Sequence, residues 1–309
     1  MGLLVDGIWS DRWYDTKKTD GRFVRAKASF RRSISSEPGS LFPPEAGRYH
    51  LYVSLACPWA HRTLIVRRLK GLTDHIGVVV VAPLMGDDGW VFDADNPDTL
   101  GGRQRYYELY RTADATFSGR VTVPALWDEK TATIVSNESS EIIRMLNSEF
   151  PDAVGPDFYP EALRADIDAV NERVYHDVNN GVYKAGFATT QPAYDEAVNA
   201  LFATLDWLES RMNGRRFLVG DTLTEADIRL FTTLIRFDPV YVGHFKCDHK
   251  RIVDYPNLWA HTRRLFQTPG VSETVNFEHI RGHYYESHRN INPFGIRSTG
   301  PELDYLEPA

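Results

Sequence analysis

The stretch His50-Leu-Tyr-Val-Ser-Leu-Ala-Cys57-Pro58-Trp59-Ala60-His61 passes from a short apolar strand into a helix, and the passage falls on a lone cysteine. From 58 to 70 the apolar residues recur at helical spacing, and Gly71 supplies the stop. Pro58 suits a first helical turn, where its missing N–H is not needed. A thiol in that place faces unpaired backbone N–H groups and the positive end of the helix dipole, and both favour thiolate. A buried inert cysteine is the competing reading, but burial favours the neutral thiol and leaves the helix terminus unused. Three residues after Cys57 stands Ala60, not a second cysteine. A dithiol enzyme resolves a mixed disulfide with its own second thiol. Here the resolving thiol must come from outside, which points to monothiol chemistry with a small external thiol.

Downstream, Val78-Val-Val-Val81 is short, wholly apolar and β-branched, and reads as a strand buried on both faces. Residues 83–119 interrupt the pattern with Gly, Asp and aromatics and hold one helical stretch, 104–110. Thr122-Val-Pro-Ala-Leu-Trp127 is a loop entering a strand, Asp128-Glu-Lys130 a turn, 133–135 the partner strand, and a helix begins near Asn137. This order, βαβ, a connection, then ββα, is that of a thioredoxin-like domain. Pro124 enters its third strand, where that fold carries a cis-proline beside the active cysteine.

Residues 1–46 are polar with scattered aromatics and read as an arm wrapped on the body. The run 151–160 (PDAVGPDFYP) is a linker by composition. Helical periodicity then takes over in 162–179, 192–212, 225–237 and 256–266. Thr224-Glu-Ala-Asp227 is an acidic variant of the capping box, and Ile228, Leu230, Phe231, Leu234 and Ile235 follow at once, so this helix is central and buried. The expected fold class is α/β plus all-α: an arm (1–46), a thioredoxin-like domain (47–150), an all-helical domain (160–280) and a tail (281–309).

At 309 residues two sizeable cores can form, and a net charge of −7 gives no support to nucleic-acid binding. The basic residues of 22–32 and 62–70 read as solvated faces of the arm and of a helix. No apolar run reaches membrane-spanning length, residues 1–6 carry no signal-peptide core, and Asp6 stands where myristoylation wants Ser or Thr. Two cysteines, Cys57 and Cys247, are too few for a disulfide framework and suit a reducing cytosol. The clusters His244-Phe-Lys-Cys247-Asp-His249 and His279 with His283 lack both the metalloprotease glutamate and structural-zinc spacing, so no metal is expected. Neither a G-x-G-x-x-G fingerprint nor a Walker motif occurs, which argues against a nucleotide cofactor.

Residues 47–72, 120–128 with 136–145, 181–194, 223–247 and 274–293 resemble one family. Its marks are the Cys57-Pro-Trp-Ala60 element and the run Asn276-Phe-Glu-His-Ile-Arg-Gly-His-Tyr284. The chain is similar to the glutathionyl-hydroquinone reductases, the Xi class of the glutathione transferase fold. The resemblance implies reduction of aromatic glutathionyl-hydroquinones through a Cys57–glutathione mixed disulfide. Glutathione is then the co-substrate, with no tightly bound cofactor. It implies a cytoplasmic homodimer joined through the helical domain, for which the aromatic run 236–243 is a candidate surface, and a tail near the active site.

Residue roles come from the same resemblance. Val123 and Pro124 would present backbone to the cysteinyl unit of glutathione, although Pro124 alone reads equally as a loop proline. Glu138 and Ser139 would hold the γ-glutamyl end, against ordinary helix capping. Trp90 and Arg120 would reach the glycyl carboxylate, against a packed indole and a surface arginine. Tyr183 and Tyr284 would meet the quinol oxygens, with Tyr285 a rival to its neighbour and core packing the plain alternative. Other functions to be weighed are an omega-like thiol transferase or dehydroascorbate reductase, a conjugating transferase, and a non-catalytic transferase-like module.

Overall fold

The computed structural model describes residues 2–309, and the chain forms two compact units. The first comprises the segment ending at Trp13, Ala26–Pro156 and Thr274–His283. It begins with a hairpin, β1 (Leu3–Val5) and β2 (Ile8–Ser10), followed by β3 (Tyr49–Val53), α1 (Pro58–Leu69) and β4 (Ile76–Val80). After the short pair β5 (Met85–Gly86) and β6 (Gly89–Trp90) come α2 (Tyr107–Ala113), β7 (Gly119–Arg120), β8 (Ala125–Asp128), β9 (Thr133–Ser136) and α3 (Ser139–Ser148).

The main sheet runs β4-β3-β8-β9, with β3 parallel to β4 and antiparallel to β8. In its centre Leu51 pairs with Val78 on one side and Leu126 on the other. The four valines prove to be less enclosed than expected: Val79 and Val81 are buried, whereas Val78 and Val80 are only half-buried. The reason is position, because β4 is an edge of the sheet and its neighbour β3 is the strand covered on both faces. Residues 82–119 are a roof over one sheet face. Met85, Trp90, Tyr106, Tyr110 and Phe117 form a single buried cluster with Tyr52, Trp127 and Ile134. The start of the arm joins the same cluster through Leu4, since β1 pairs with β7 and sets Leu4 opposite Gly119. On the other face, Tyr49 meets the ring of Phe150 just beyond α3, at 6.3 Å between centroids.

Helix α1 ends as read. Gly71 adopts φ +67°, and Leu72 N donates to Arg67 O at 2.9 Å. A side chain at Gly71 would also bring its Cβ to 2.7 Å from Val154 Cγ2. The basic face of this helix is not solvated, contrary to expectation: Arg62 and Lys70 are buried and Arg67 is half-buried. Long cations reach the interior here because carbonyls meet them. Arg67 Nε donates to Ile76 O (2.6 Å), and Lys70 Nζ donates to Pro156 O (3.1 Å).

The second unit holds Tyr14–Arg25, Asp157–Glu273 and the chain from Tyr284 onward. Its helices are α4 (Arg164–Val174), α5 (Gly181–Gly186), α6 (Gln191–Arg211), α7 (Glu225–Arg236), α8 (Val242–His244) and α9 (Pro256–Phe266). Helix α10 (Phe277–Ser287) gives residues through His283 to the first unit and the rest to the second. The expected helix 162–179 is α4 between a 3₁₀ turn (Glu161–Leu163) and a π-helical turn (Tyr175–Asn179). A second π-helical turn, Phe237–Tyr241, comes directly after α7.

Every residue of α7 is buried, as its pattern predicted. The capping box is formed, with Thr224 N and Oγ1 donating to Asp227 Oδ2 at 2.9 and 3.0 Å. Asp227 Oδ1 also accepts from Leu218 N at 2.8 Å, tying the preceding loop to the helix. The run proposed as a subunit surface is interior instead. Residues 236–241 are buried and only Val242 and Gly243 reach solvent, because the π-helical turn rolls the aromatic residues inward.

Candidate active site

Cys57 is the N-cap of α1, with extended backbone (φ −75°, ψ 122°) and Pro58 at the first helical position. Its N–H donates to Ser54 O, and its own carbonyl accepts the first helical hydrogen bond, from His61 N at 3.0 Å. The thiol is half-buried and lies 3.5 Å from Val123 O, where the Val123–Pro124 peptide is cis. Thiol, helix terminus and the backbone of Val123 therefore share one place. A small peptide thiol laid along Val123 would bring its sulfur to Cys57 and its main chain to a strand-like edge.

Glu138 is the N-cap of α3 and its Oε1 accepts from Ser140 N (3.2 Å) and Ser140 Oγ (2.9 Å), so it does cap the helix. Its Oε2 carries no hydrogen bond among the described residues. Ser139 begins α3 and is buried, with Oγ accepting from Arg62 Nη1 at 3.5 Å. Arg62, whose guanidinium sits 4.5 Å from the ring centre of Trp59, thereby links the cysteine helix to the start of α3. Sequence reasoning placed this arginine in solvent; its i, i+3 spacing from Trp59 was the only available hint.

Trp90, on β6, is 4% exposed and stacks on His283 at 4.6 Å. Arg120, on β7, is half-buried and donates through Nη1 to the carbonyl of Arg12.

In the second unit Tyr183, on α5, and Tyr284, on α10, bring their hydroxyls to 2.5 Å. Tyr285 turns elsewhere, to Pro239 O at 3.4 Å, so of the two adjacent tyrosines it is Tyr284 that joins Tyr183. A third phenol, Tyr241, lies 3.0 Å from Tyr284 and was not singled out in the sequence. Burial pushes the Tyr241 and Tyr284 phenols well above their ordinary value. The histidines of the two suspicious clusters are dispersed among other partners. His244 meets His288 at 3.1 Å, His249 stacks on Phe202, and His283 contacts Pro83 O. Cys247 is fully buried and neither cysteine is in a disulfide.

Residues 56–149 match the glutathione S-transferase N-terminal domain, and residues 191–264 match its C-terminal domain. The chain is 57% identical to glutathionyl-hydroquinone reductase YqjG of Escherichia coli K12, over 100% of this chain and 98% of that protein. The glutathione-bound structure of YqjG superposes with a TM-score of 0.91 at 53% identity, covering 99% of this chain and 98% of that one. A Xi-class transferase from Natrialba magadii superposes with a TM-score of 0.94 at 46% identity, covering 100% and 96%. Full-length identity at this level, on the fold that Cys57 and its flanking strands build, assigns the family. The chain belongs to the glutathionyl-hydroquinone reductases, the Xi class of the glutathione S-transferases.

Proposed function

We infer that the chain reduces glutathionyl-hydroquinones to free hydroquinones at the expense of glutathione, by way of a mixed disulfide on Cys57. The observation that carries the reading is the lone thiol at the amino terminus of α1, 3.5 Å from Val123 O, with Ala60 where a resolving cysteine would stand. The Cys57 thiolate attacks the glutathione sulfur. An S–S bond forms, the ring C–S bond breaks, and its electron pair stays on the ring carbon, which takes a proton. A second glutathione thiolate attacks the glutathione sulfur of the mixed disulfide, departs as glutathione disulfide and returns Cys57 as thiolate. One C–S bond is replaced by C–H, and two glutathione sulfurs are joined.

The remaining residues divide between the two halves of the substrate. Val123 and Pro124 offer backbone to the cysteinyl unit. Ser139 and the first N–H groups of α3 suit the α-carboxylate, and Glu138 the ammonium beside it. Trp90 and Arg120 are assigned to the glycyl carboxylate, and Tyr183 and Tyr284 to the hydroquinone oxygens. Glutathione serves as co-substrate, without a tightly bound cofactor. We place the enzyme in the cytoplasm as a homodimer joined through its helical domain, a reading supported by the family. Among the described residues no helix is long and apolar enough to cross a membrane.

The test is hydroquinone release from a glutathionyl-hydroquinone with excess glutathione, with glutathione disulfide measured alongside. Equal yields are expected; conjugation of an electrophile without any release would overturn the reading. A finer prediction concerns Glu138→Gln. Glutamine keeps an acceptor for Ser140 N and loses only the charge offered to the ammonium, so helix capping survives. The KM for glutathione should rise about tenfold, the usual worth of one charge-assisted hydrogen bond, with the melting temperature little moved.

A further inference from the structure

The residues assigned to the cysteinyl backbone of glutathione, Val123 and Pro124, and to its γ-glutamyl end, Glu138 and Ser139, flank the open end of one hairpin, β8–β9. The ladder of that hairpin has its last pair at Leu126 and Ser136, with an irregularity beside it between Leu126 and Trp127. Among the described residues no main-chain hydrogen bond joins 122–124 to 137–139. Something other than the sheet must hold the two groups at a fixed separation.

A bridge of side chains spans the gap. Tyr110, on α2, is fully buried; its hydroxyl donates to Thr122 O at 2.7 Å and accepts from Thr122 N at 3.2 Å and Asn137 Nδ2 at 3.0 Å. It thus serves both main-chain groups of Thr122, as a neighbouring strand would, and meets Asn137 as well. Burial raises the Tyr110 phenol above its ordinary value, so the proton it donates stays in place. Asn137 is held from its other side by the arm. Its Oδ1 accepts from Phe30 N and its own N–H donates to Phe30 O, both at 3.0 Å. Those bonds fix which way the amide faces: Phe30 N needs the oxygen, and the amide nitrogen is left for Tyr110. Tyr106 supplies a contrast. It is equally buried, and its hydroxyl meets Thr122 O at 3.1 Å and the Tyr110 hydroxyl, but among the described residues it has no hydrogen bond to Asn137.

We propose that Tyr110 and Asn137 are positioning residues that set the span between Val123 and the start of α3, so that one glutathione reaches both with its cysteinyl and γ-glutamyl units at once. The proposal rests on the glutathione contacts assigned above. A ligand held at two points gains from the second only when their separation already matches its own. Slack between them has to be removed at the expense of binding. Loss of the bridge therefore weakens the γ-glutamyl contact and spares the cysteinyl one.

The experiment measures, by calorimetry on the full-length enzyme, the affinity for S-methylglutathione and for S-methylcysteinylglycine, which lacks the γ-glutamyl unit. The ratio of the two is the advantage that unit confers. Tyr110→Phe and Asn137→Ala should each lower it about tenfold, the worth of one hydrogen bond. Tyr106→Phe, which removes a hydroxyl just as deeply buried, should keep it. The double variant Tyr110→Phe/Asn137→Ala should lose no more than either single one, because both cut the same link. Asn137→Ala decides the matter if Tyr110→Phe does not fold, since Asn137 is 7% exposed and lies at the margin of the core. An equal fall in Tyr106→Phe, additive losses in the double variant, or no fall at all would overturn the proposal and leave a packing role. A wild type that binds both ligands alike removes the contacts assigned to Glu138 and Ser139 themselves. A wild type that discriminates, matched by Tyr110→Phe and Asn137→Ala, removes only the proposal.

Discussion

Cys57→Ser abolishes hydroquinone release, by more than about a thousandfold, which is about 4 kcal/mol at 1.36 kcal/mol per tenfold. The substitution changes one atom at the N-cap of α1, and serine is itself a good N-cap, so the helix and the fold are retained. What is lost is the ability to form an S–S bond. A hydroxyl is not ionised at neutral pH and an oxygen–sulfur adduct has no exchange route to glutathione disulfide. Intact-mass spectrometry should therefore find the glutathione adduct on the wild type treated with substrate and none on the variant. Turnover in Cys57→Ser within tenfold of wild type would remove the mixed disulfide from the mechanism. The residual activity also separates two functions: a serine enzyme that gains conjugation would show that the site holds free glutathione as well.

The second large effect is on stability, at Asp227. Its carboxylate accepts from Thr224 N, Thr224 Oγ1 and Leu218 N, all buried. Asp227→Ala orphans three interior donors, each costing on the order of 1–3 kcal/mol, so a loss of about 4 kcal/mol is expected in urea denaturation. Helix α7 is the core of its unit, which makes the loss global. The pH dependence carries a sharper signature. Burial raises Asp227 from 3.8 to about 6, and the same burial lowers its neighbour His261, 3.7 Å away, from 6.5 to about 3.

The two groups pull in opposite directions. A raised carboxyl takes up a proton on folding, so its contribution is full below about pH 4 and fades as pH rises through about 6. A depressed imidazole sheds a proton on folding, so its contribution is full above 6.5 and fades as pH falls toward about 3. Between about pH 4 and 6 their slopes offset each other in the wild type. Asp227→Asn leaves the imidazole alone and should lose stability steeply over that window, while His261→Gln should gain on acidification. Urea midpoints at four pH values decide it, and parallel curves for all three proteins would remove the two opposed titrations.

Part of both units could be read directly because the signals are local. The N-cap cysteine, the proline at the first helical position, the glycine at +67° and the box Thr224–Asp227 all involve partners within five residues. Motif resemblance extended this to Val123, Glu138 and Ser139, which lie near Cys57 or at the start of α3. The misreadings have a common cause. Arg62 and Lys70 are charged and looked solvated, yet their partners, Ser139 and Pro156, are far along the chain. The valines 78–81 have the composition of a central strand, but strand order made β4 an edge. The aromatic run 236–243 looked like a surface until a π-helical turn took it inside.

Sequence alone determined the chemistry of this protein: one thiol, placed by short-range capping rules at a helix terminus, without a second thiol to resolve it. Tertiary structure alone decided which groups surround that chemistry. The pairing of Leu4 with Gly119, the choice of Tyr284 over Tyr285 and the arrival of Tyr241 beside it each join residues more than forty positions apart. Helix caps and turns obey the geometry of four or five consecutive residues. Contacts at long range obey strand order and helix phase, which no local window contains.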